Sequence, residues 1–370
     1  MALSMRLVSP TLWSALAIIP VIVALKLLVH KARRKQIFLV GCGNVGAGIG
    51  VAFARAGWRV IAVDPSPILV PKVLRTSPHE YHQKTVEDIE DEALDHMLSS
   101  VEIVYCAECG NRDAYSDPDL GKANATRFEA FARRLPSGAK LRYVCGSWTR
   151  REMRTIDEAA PPVVDDTSAA KADAACNPYE RAKNEACEQA RTLGAELGLH
   201  ITFCDWSSVV PNLAPNFTVS KMVDEAMSDG TISYSDGDVG RPLCHSADAG
   251  RALVQLVESQ RDEPAPSHRV APPPFEVVLV PGAFTPFAAF ASAVQTELAS
   301  LEEGSRVHAT LTPKADHAPT FLRTRCTSAR LAGLGFMPDE EAVQRGLRDT
   351  ARARWESARA RSRGSGAARS

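Results

Sequence analysis

The feature that most constrains this chain is the stretch from Ile37 to Asp64, where three glycines at Gly-x-Gly-x-x-Gly spacing lie between two apolar runs. The run from Ile37 to Val40 is short enough for a buried strand, and the small and apolar residues from Val45 to Ala56 predict a helix. A second predicted strand, Trp58 to Val63, leads directly into Asp64. A strand, a glycine turn, a helix and a strand that ends in an acid, in this order, indicate a dinucleotide-binding unit.

Each part of this unit has a physical role. The first glycine allows a tight turn, the second lets backbone approach a pyrophosphate, and the third lets the helix pack on the strand. The start of the helix directs free N–H groups and a positive dipole at the phosphates. The predicted cofactor-binding residues of the turn are Gly41, Gly43, Asn44, Val45 and Gly46.

Asp64 lies 18 residues after Gly46, near the spacing of the acid that accepts the ribose hydroxyls. A carboxylate at this place repels a 2′-phosphate, so the predicted cofactor is NAD rather than NADP. The alternative is a glycine turn of an α/β protein that binds nothing.

Size and composition narrow the class of protein. The chain has 370 residues and a formal net charge of -1, so it shows no global charge signal for binding nucleic acid. Its nine cysteines are scattered, and several fall in predicted strands, which indicates reduced buried thiols rather than a disulfide framework. The nine histidines are too dispersed to predict a metal site.

Residues 1–35 form a separate predicted segment. The run from Leu7 to Leu25 is mostly apolar, and Lys31, Arg33, Arg34 and Lys35 follow it. About 20 apolar residues span a bilayer as a helix, and the positive cluster places the following domain on the cytosolic side, or in a mitochondrial or plastid interior. We therefore expect a single-pass membrane anchor. A cleaved signal peptide and an organellar targeting segment are the alternatives.

A second constellation follows a strand predicted from Leu141 to Cys145. Ser147 leaves the carboxyl end of that strand, where sheets of this kind bind ligands. Tyr179 and Lys183 lie four residues apart on a helix predicted from Pro178 to Leu197, so both side chains share one face. A lysine ammonium lowers the pKa of a neighbouring tyrosine, which makes this pair a general acid/base for hydride chemistry at a carbinol. The alternative is a chance spacing.

These features together resemble the extended group of the short-chain dehydrogenase/reductase superfamily, the NAD-dependent epimerase/dehydratase family. The resemblance runs from about Gln36 to Arg354. It implies that Ser147, Tyr179 and Lys183 are catalytic and that Tyr179 and Lys183 also contact the cofactor. The further cofactor contacts that it implies are Asp88, Ile89, Ala107 and Asn124.

The downstream segment around Ser235 to Asp248 resembles a family segment whose arginine contacts a substrate diphosphate, which makes Arg241 a predicted substrate ligand beside Ser147. Two departures stand out. Cys204 occupies the place of a family arginine, and Glu108 follows the fourth strand where small residues are usual.

The predicted fold is α/β, a doubly wound parallel sheet of Rossmann type with a smaller C-terminal substrate domain and an N-terminal transmembrane helix. The expected organisation is a membrane anchor or targeting segment at 1–35, an NAD-binding domain at 36–204, a mainly substrate-binding portion at 205–347 and a basic flexible tail at 348–370.

The expected activity is an NAD-dependent epimerase, dehydratase or dehydrogenase acting on a nucleotide sugar or a sterol-like substrate, with NAD either recycled within a turnover or used as a net oxidant. The alternative is a cofactor-binding, non-catalytic subunit of a membrane complex. The expected partners are a small-molecule substrate and a membrane, with a homodimer as a candidate assembly and no nucleic acid.

Overall fold

The computed structural model describes residues 35–98, 101–108, 118–146, 163–164, 178–213, 217–236, 239–262, 275–301, 309–314 and 325–367. Its strands are β1 (Gln36–Val40), β2 (Arg59–Val63), β3 (Glu80–His82), β4 (Glu102–Tyr105), β5 (Lys140–Gly146), β6 (Val163–Val164), β7 (His200–Trp206), β8 (Ser208–Val210), β9 (Thr231–Ser235), β10 (Gly240–His245), β11 (Phe275–Val280), β12 (Ala283–Pro286), β13 (Thr310–Lys314) and β14 (Arg325–Cys326). Its α-helices are α1 (Asn44–Arg55), α2 (Asp91–Leu98), α3 (Pro118–Ala132), α4 (Pro178–Leu197), α5 (Thr218–Asp229), α6 (Ser246–Asp262), α7 (Phe287–Leu301), α8 (Ala329–Gly333) and α9 (Glu340–Ala367).

The main sheet has seven parallel strands in the order β11-β7-β5-β4-β1-β2-β3. Strands are added on one side of β1 up to β3, and the chain then crosses to β4 on the other side. This reversal puts a crevice at the carboxyl ends of β1 and β4, the place where open α/β sheets bind ligands. The predicted doubly wound parallel sheet is confirmed.

Both faces of the sheet are covered by helices. Ile37 and Leu39 of β1 point into a hydrophobic layer with Phe53 of α1 and Leu253 of α6. Phe38 and Val40 point the other way, into a layer that contains Phe128 of α3 and Ala190 of α4, among others. The alternation along β1 therefore follows the two-residue period of a strand that is buried on both faces.

A second, smaller core is built from later parts of the chain. Strands β12, β10 and β8 form one sheet and β13 pairs with β9, while helices α5, α7 and α9 pack around them. Val210, Val223, Phe290 and Leu347 are buried in this core.

The expected boundary between the NAD-binding domain and the substrate-binding portion, at residues 204 and 205, does not coincide with the division seen in the structure. Strand β7 continues to Trp206, and β11, at residues 275–280, pairs with β7 as an edge strand of the main sheet. Helix α6 packs on α1, where a Cβ added at Gly250 would lie 2.5 Å from the Ala52 Cβ. Segments of the portion expected to bind substrate therefore complete the cofactor-binding sheet, because β11 is as apolar as the strand that it joins.

Two further expectations concern the ends of the chain. The tail from residue 348, expected to be flexible, continues α9 as far as Ala367, since Ala351 is buried and Trp355 packs against the second core. The predicted membrane segment at 1–35 falls almost entirely outside the described residues. Within the described residues, no helix combines the length and the apolar character needed to cross a bilayer.

Candidate active site

The glycine turn lies between the carboxyl ends of β1 and β4. Gly41 has a φ of +91°, and a Cβ placed on it would lie 2.8 Å from the Ala107 backbone nitrogen. Its own N–H donates to the Val63 carbonyl at 2.8 Å. Both the left-handed backbone and the close approach require glycine here, so the predicted tight turn is present and Ala107 lies against it.

The other two glycines differ in what surrounds them. A Cβ on Gly46 would overlap the carbonyl oxygen of Gly41, whereas a Cβ on Gly43 would meet no atom within 4 Å. Gly43 is the N-cap of α1, and the first turn of that helix, which starts with Asn44 and Val45, contains no acidic residue. The start of α1 therefore combines an open approach with helix N–H groups and carries no acidic side chain in its first turn, which fits a pyrophosphate.

Asp64 is tied to the same turn. Its Oδ2 accepts a hydrogen bond from the Cys42 N–H at 2.6 Å, and its Oδ1 accepts one from the Ser66 N–H at 2.7 Å. Each carboxylate oxygen keeps a lone pair for a further donor such as a ribose hydroxyl. Burial, and secondarily the Asp64 charge, raises the pKa of the Cys42 thiol to about 12, so this thiol stays protonated beside the turn.

The predicted cofactor contacts outside the glycine turn differ in how accessible their side chains are. Asp88 is exposed and its Oδ2 accepts from the Thr85 hydroxyl at 2.6 Å. Ile89 is only 2% exposed and packs in the core, so little of its side chain is available to an adenine ring. Asn124 is buried on α3.

Helix α4 brings the predicted acid/base pair to the sheet. Tyr179 lies in its first turn and Lys183 one turn later, as the spacing predicts. Gly121 of α3 allows the two helices to touch, because a Cβ on it would overlap the Ala182 Cβ. Ser147 and the side chain of Tyr179 lie outside the described part of the structure, and their catalytic roles stay predictions.

The Lys183 ammonium forms an ion pair with Glu108, the residue expected to be small. The two side chains are 11% and 10% exposed. Glu108 also accepts hydrogen bonds from the Tyr143 hydroxyl at 2.7 Å and from the Cys145 thiol at 3.4 Å. Lys183 therefore reaches from α4 to the carboxyl end of β4, beside the glycine turn.

The electrostatics of this cluster are set by burial. Burial lowers the pKa of Lys183 to about 8, and the buried Asp205 carboxylate at the end of β7 opposes the shift. The Glu108 carboxylate acts in the same direction as Asp205. Burial raises the pKa values of Tyr143 and Cys145 well above their usual ranges, so both remain protonated donors to Glu108.

Arg241 belongs to the second sheet. It lies on β10, where its guanidinium carbon is 5.6 Å from the centroid of the Phe287 ring. Its predicted contact with a substrate diphosphate is not tested by this arrangement. Cys204, at the place of the family arginine, is fully buried in the core beneath the sheet.

Two site residues were not identified from the sequence. The sequence marks Glu108 only as a departure from the family pattern, and Asp205, near the end of β7, carries no prediction. Both follow or end strands at the carboxyl edge, so a search for acids directly after apolar runs finds them. Among the described residues, no group of three or more His, Cys, Asp or Glu side chains is arranged to hold a metal ion.

No protein-family model matches this sequence, and no curated protein matches it. Solved structures do. One is an NAD-dependent NDP-hexosamine 5,6-dehydratase of tunicamycin biosynthesis, which is 16% identical with a TM-score of 0.60, over 87% of this chain and 98% of that one. Another is a dTDP-glucose 4,6-dehydratase from Bacillus anthracis in complex with NAD, 14% identical with a TM-score of 0.59, over 87% and 96% of the two chains.

A third is a UDP-glucose 4-epimerase from Thermotoga maritima with UDP-glucose, 16% identical with a TM-score of 0.57, over 86% of this chain and 97% of that one. The chain thus shares the fold of these epimerases and dehydratases over nearly their whole length. At this level of identity the comparison confirms the predicted α/β fold of Rossmann type and nothing beyond the fold.

Proposed function

We propose that this protein is an NAD-dependent oxidoreductase of the epimerase/dehydratase type, acting at a hydroxyl-bearing carbon of a nucleotide sugar. The observation that carries the proposal is the open glycine turn at Gly43, bordered by the Asp64 carboxylate, with buried Lys183 directed to the same edge of the sheet. Similar structures carry NAD in one case and UDP-glucose in another, which supports both the cofactor and the substrate class.

Each residue of the site has a separate role in the proposed reaction. The backbone of the turn holds the pyrophosphate, and Asp64 accepts the adenosine ribose hydroxyls. Lys183 binds the second ribose and lowers the pKa of Tyr179, whose phenolate removes the proton from the substrate hydroxyl while Ser147 orients that oxygen. NAD, when bound, supplies the acceptor for the hydride that leaves the same carbon. Arg241 contacts the substrate diphosphate.

The test is turnover by the purified protein. Bound nucleotide would be released by acid and identified by mass spectrometry. The protein would be incubated with UDP- and dTDP-sugars and, as the alternative substrate class, hydroxysterols; chromatography of the products would detect turnover in which NAD is recycled, and the absorbance of reduced nicotinamide would detect net oxidation. We expect bound NAD, turnover of a nucleotide sugar and loss of turnover in Tyr179→Phe with retained NAD. Absence of NAD from the protein and no binding of added NAD would contradict the proposal.

A second candidate function is a cofactor-binding subunit of a membrane complex that does not turn NAD over. The contact between Lys183 and Glu108 favours it, since this ammonium is already engaged by a carboxylate. Bound NAD without turnover of any tested substrate, together with wild-type cellular function of Tyr179→Phe, would favour this candidate. Attachment to a membrane, the side that the domain faces and a homodimeric state stay predictions in both cases.

A further inference from the structure

Glu108 is unusual in both place and environment. It follows β4 at the carboxyl edge of the sheet, next to Ala107, which lies against the glycine turn. Its carboxylate points across to α4, where it meets Lys183, and only 10% of its side chain is exposed. A carboxylate in such a place is costly unless it is paired and hydrogen-bonded. The contacts around it therefore decide what it does.

Those contacts hold the carboxylate rigidly. Tyr143 and Cys145 lie two residues apart on β5, so their side chains share one face of the sheet. Both donate to Oε1 of Glu108, at 2.7 and 3.4 Å. The Tyr143 ring is itself fixed, because it stacks on Phe128 with centroids 4.2 Å apart and meets Phe203 edge-on at 5.3 Å. Glu108 is therefore oriented by the sheet and can impose that orientation on a partner that approaches from α4.

The charge of Lys183 depends on the carboxylates around it. Burial disfavours the ammonium, whereas Glu108 and Asp205 favour it. The other titratable groups facing this cluster are Tyr143 and Cys145 of β5, which stay protonated at neutral pH. Cys187 of α4 lies near Tyr143 and adds a thiol to the same environment.

We propose that Glu108 is a positioning residue for Lys183, whose carboxylate keeps the ammonium charged and directed at the carboxyl edge of the sheet, where the cofactor ribose and Tyr179 need it. The proposal rests on the proposed function, because the position matters only if a dinucleotide binds there. It gives a role to an acid that follows the fourth strand where the family resemblance implies a small residue.

The first experiment measures Lys183 itself and needs no cofactor. The rate of acetylation of Lys183 by acetic anhydride would be followed against pH by mass spectrometry, in the wild type and in Glu108→Gln. The amide keeps the shape of the side chain and an acceptor for Tyr143 but removes the charge. We expect the pKa of Lys183 to be about one unit or more lower in Glu108→Gln.

Glu297→Gln is the matched control. Glu297 is also a buried carboxylate, pairs with Arg352 on α9 and lies in the second core. The Glu297 side chain is 7% exposed, close to the 10% of Glu108, although its partner Arg352 is 52% exposed. Loss of this carboxylate should leave the titration of Lys183 unchanged. An equal shift in both variants, or no shift in Glu108→Gln, would overturn the proposal.

The second experiment measures NADH affinity against pH by fluorescence. If the ammonium binds the ribose, affinity falls as pH rises through the pKa of Lys183. A lower pKa in Glu108→Gln moves this loss to lower pH, so its affinity relative to the wild type should worsen from about pH 6 upward and reach roughly fivefold near pH 8. A parallel profile in both proteins would overturn the positioning role.

The two experiments separate failure of this proposal from failure of the proposed function. If the wild type binds no NADH, the proposed function fails, and an unchanged Lys183 titration would also refute the coupling to Glu108. If the wild type binds NADH but Glu108→Gln shows the wild-type pH profile, only the positioning role fails. Should Glu108→Gln not fold, Glu108→Asp keeps the charge at a shorter reach, and we expect a smaller shift in the same direction.

Discussion

Gly43 and Gly46 are three residues apart in one turn but are required for different reasons. Gly46 is needed by the protein itself, because any Cβ there would overlap the Gly41 carbonyl oxygen. Gly43 has open space in front of it and extended backbone angles, φ −66° and ψ −165°, which alanine also adopts. The fold therefore does not require glycine at position 43, and the open space there is suited to the approach of a ligand to the backbone.

The first prediction separates these two roles. Gly46→Ala should lower the free energy of unfolding by about 1–3 kcal/mol, despite the better helix propensity of alanine, because the Gly41 backbone cannot move away. Gly43→Ala should change the free energy of unfolding by less than about 0.5 kcal/mol and weaken NADH binding by roughly tenfold, equivalent to about 1.4 kcal/mol. Urea unfolding and NADH fluorescence titration measure the two effects; unaltered NADH affinity in Gly43→Ala would contradict the open-approach argument.

The second prediction concerns cofactor choice. Asp64→Asn keeps one acceptor for the Cys42 N–H but removes the negative charge that repels a 2′-phosphate. We expect NADH affinity to fall about tenfold, since a hydrogen bond to a charged group is lost, and the preference for NADH over NADPH to shrink. The ratio of the two dissociation constants measures this, with Glu196→Gln, an exposed acid of α4 that pairs with Arg133 and is not a predicted cofactor contact, as the control. An unchanged ratio would remove the reason for choosing NAD.

At the scale of the element, helix α4 shows what the sequence can predict. Its bounds, Pro178–Leu197, match the prediction to the residue, because proline at its first turn and a glycine after its last one mark both ends. Strand β11 likewise coincides with a mostly apolar run in the sequence, Phe275–Val280.

The pairing of Lys183 with Glu108 was not predictable in this way. The two residues are 75 positions apart. Their contact follows from the order of β4 and β5 in the sheet and from the packing of α4 upon it. Local sequence patterns therefore predict the helices and strands and several of their ends. Contacts between these elements can be predicted only when the order of the strands and the packing of the helices are known.

The third prediction tests how α4 is held. Gly121 of α3 lies against Ala182, the residue before Lys183, and an added Cβ would overlap the Ala182 Cβ. Gly121→Ala should therefore destabilise the protein by about 1–3 kcal/mol. Gly333→Ala on α8, where a Cβ meets nothing within 4 Å, is the control and should be neutral or stabilising by up to about 1 kcal/mol. Equal effects of both changes on thermal unfolding would refute the close packing.

The fourth prediction concerns the amino-terminal edge of the sheet. Arg142 of β5 is 1% exposed and pairs with Glu102 of β4 at 2.7 Å and with Gln260 of α6. Arg142→Met should lower the free energy of unfolding by about 3–5 kcal/mol, since it leaves a carboxylate without its partner. Arg133→Met, which removes two exposed ion pairs just after α3, to Glu129 of α3 and Glu196 of α4, should cost at most about 1 kcal/mol. Similar losses of stability in both variants would show that burial does not determine how much each ion pair contributes to the free energy of unfolding.

At the scale of the whole molecule, the described chain has two cores that share elements. The main sheet needs β11 from late in the sequence, and the second core needs α9 from still later. Thr350 of α9 is fully buried and its hydroxyl accepts from the Asn212 N–H at 3.0 Å, so α9 is tied to the segment that follows β8 of the second sheet. A boundary drawn at one position of the sequence does not describe this arrangement.

The fifth prediction follows from α9. A chain that ends at residue 349 lacks Thr350, Ala351 and Trp355 and should lose the second core, with a clear drop in thermal stability and greater proteolysis around α5 and α7. A chain that ends at residue 361 keeps these contacts and should unfold like the full-length protein. Circular dichroism melting and limited trypsin digestion of the two truncated proteins distinguish them; equal stability of both would mean that α9 is dispensable.

The late position of α9 also has a consequence for biosynthesis. Helices α5 and α7 leave the ribosome with their apolar faces uncovered, and the helix that covers them is made after both. During that interval the nascent chain exposes surface on which aggregation and chaperone binding compete with folding. Stop codons that remove Thr350 and the residues after it should accordingly yield insoluble protein rather than a shortened active one.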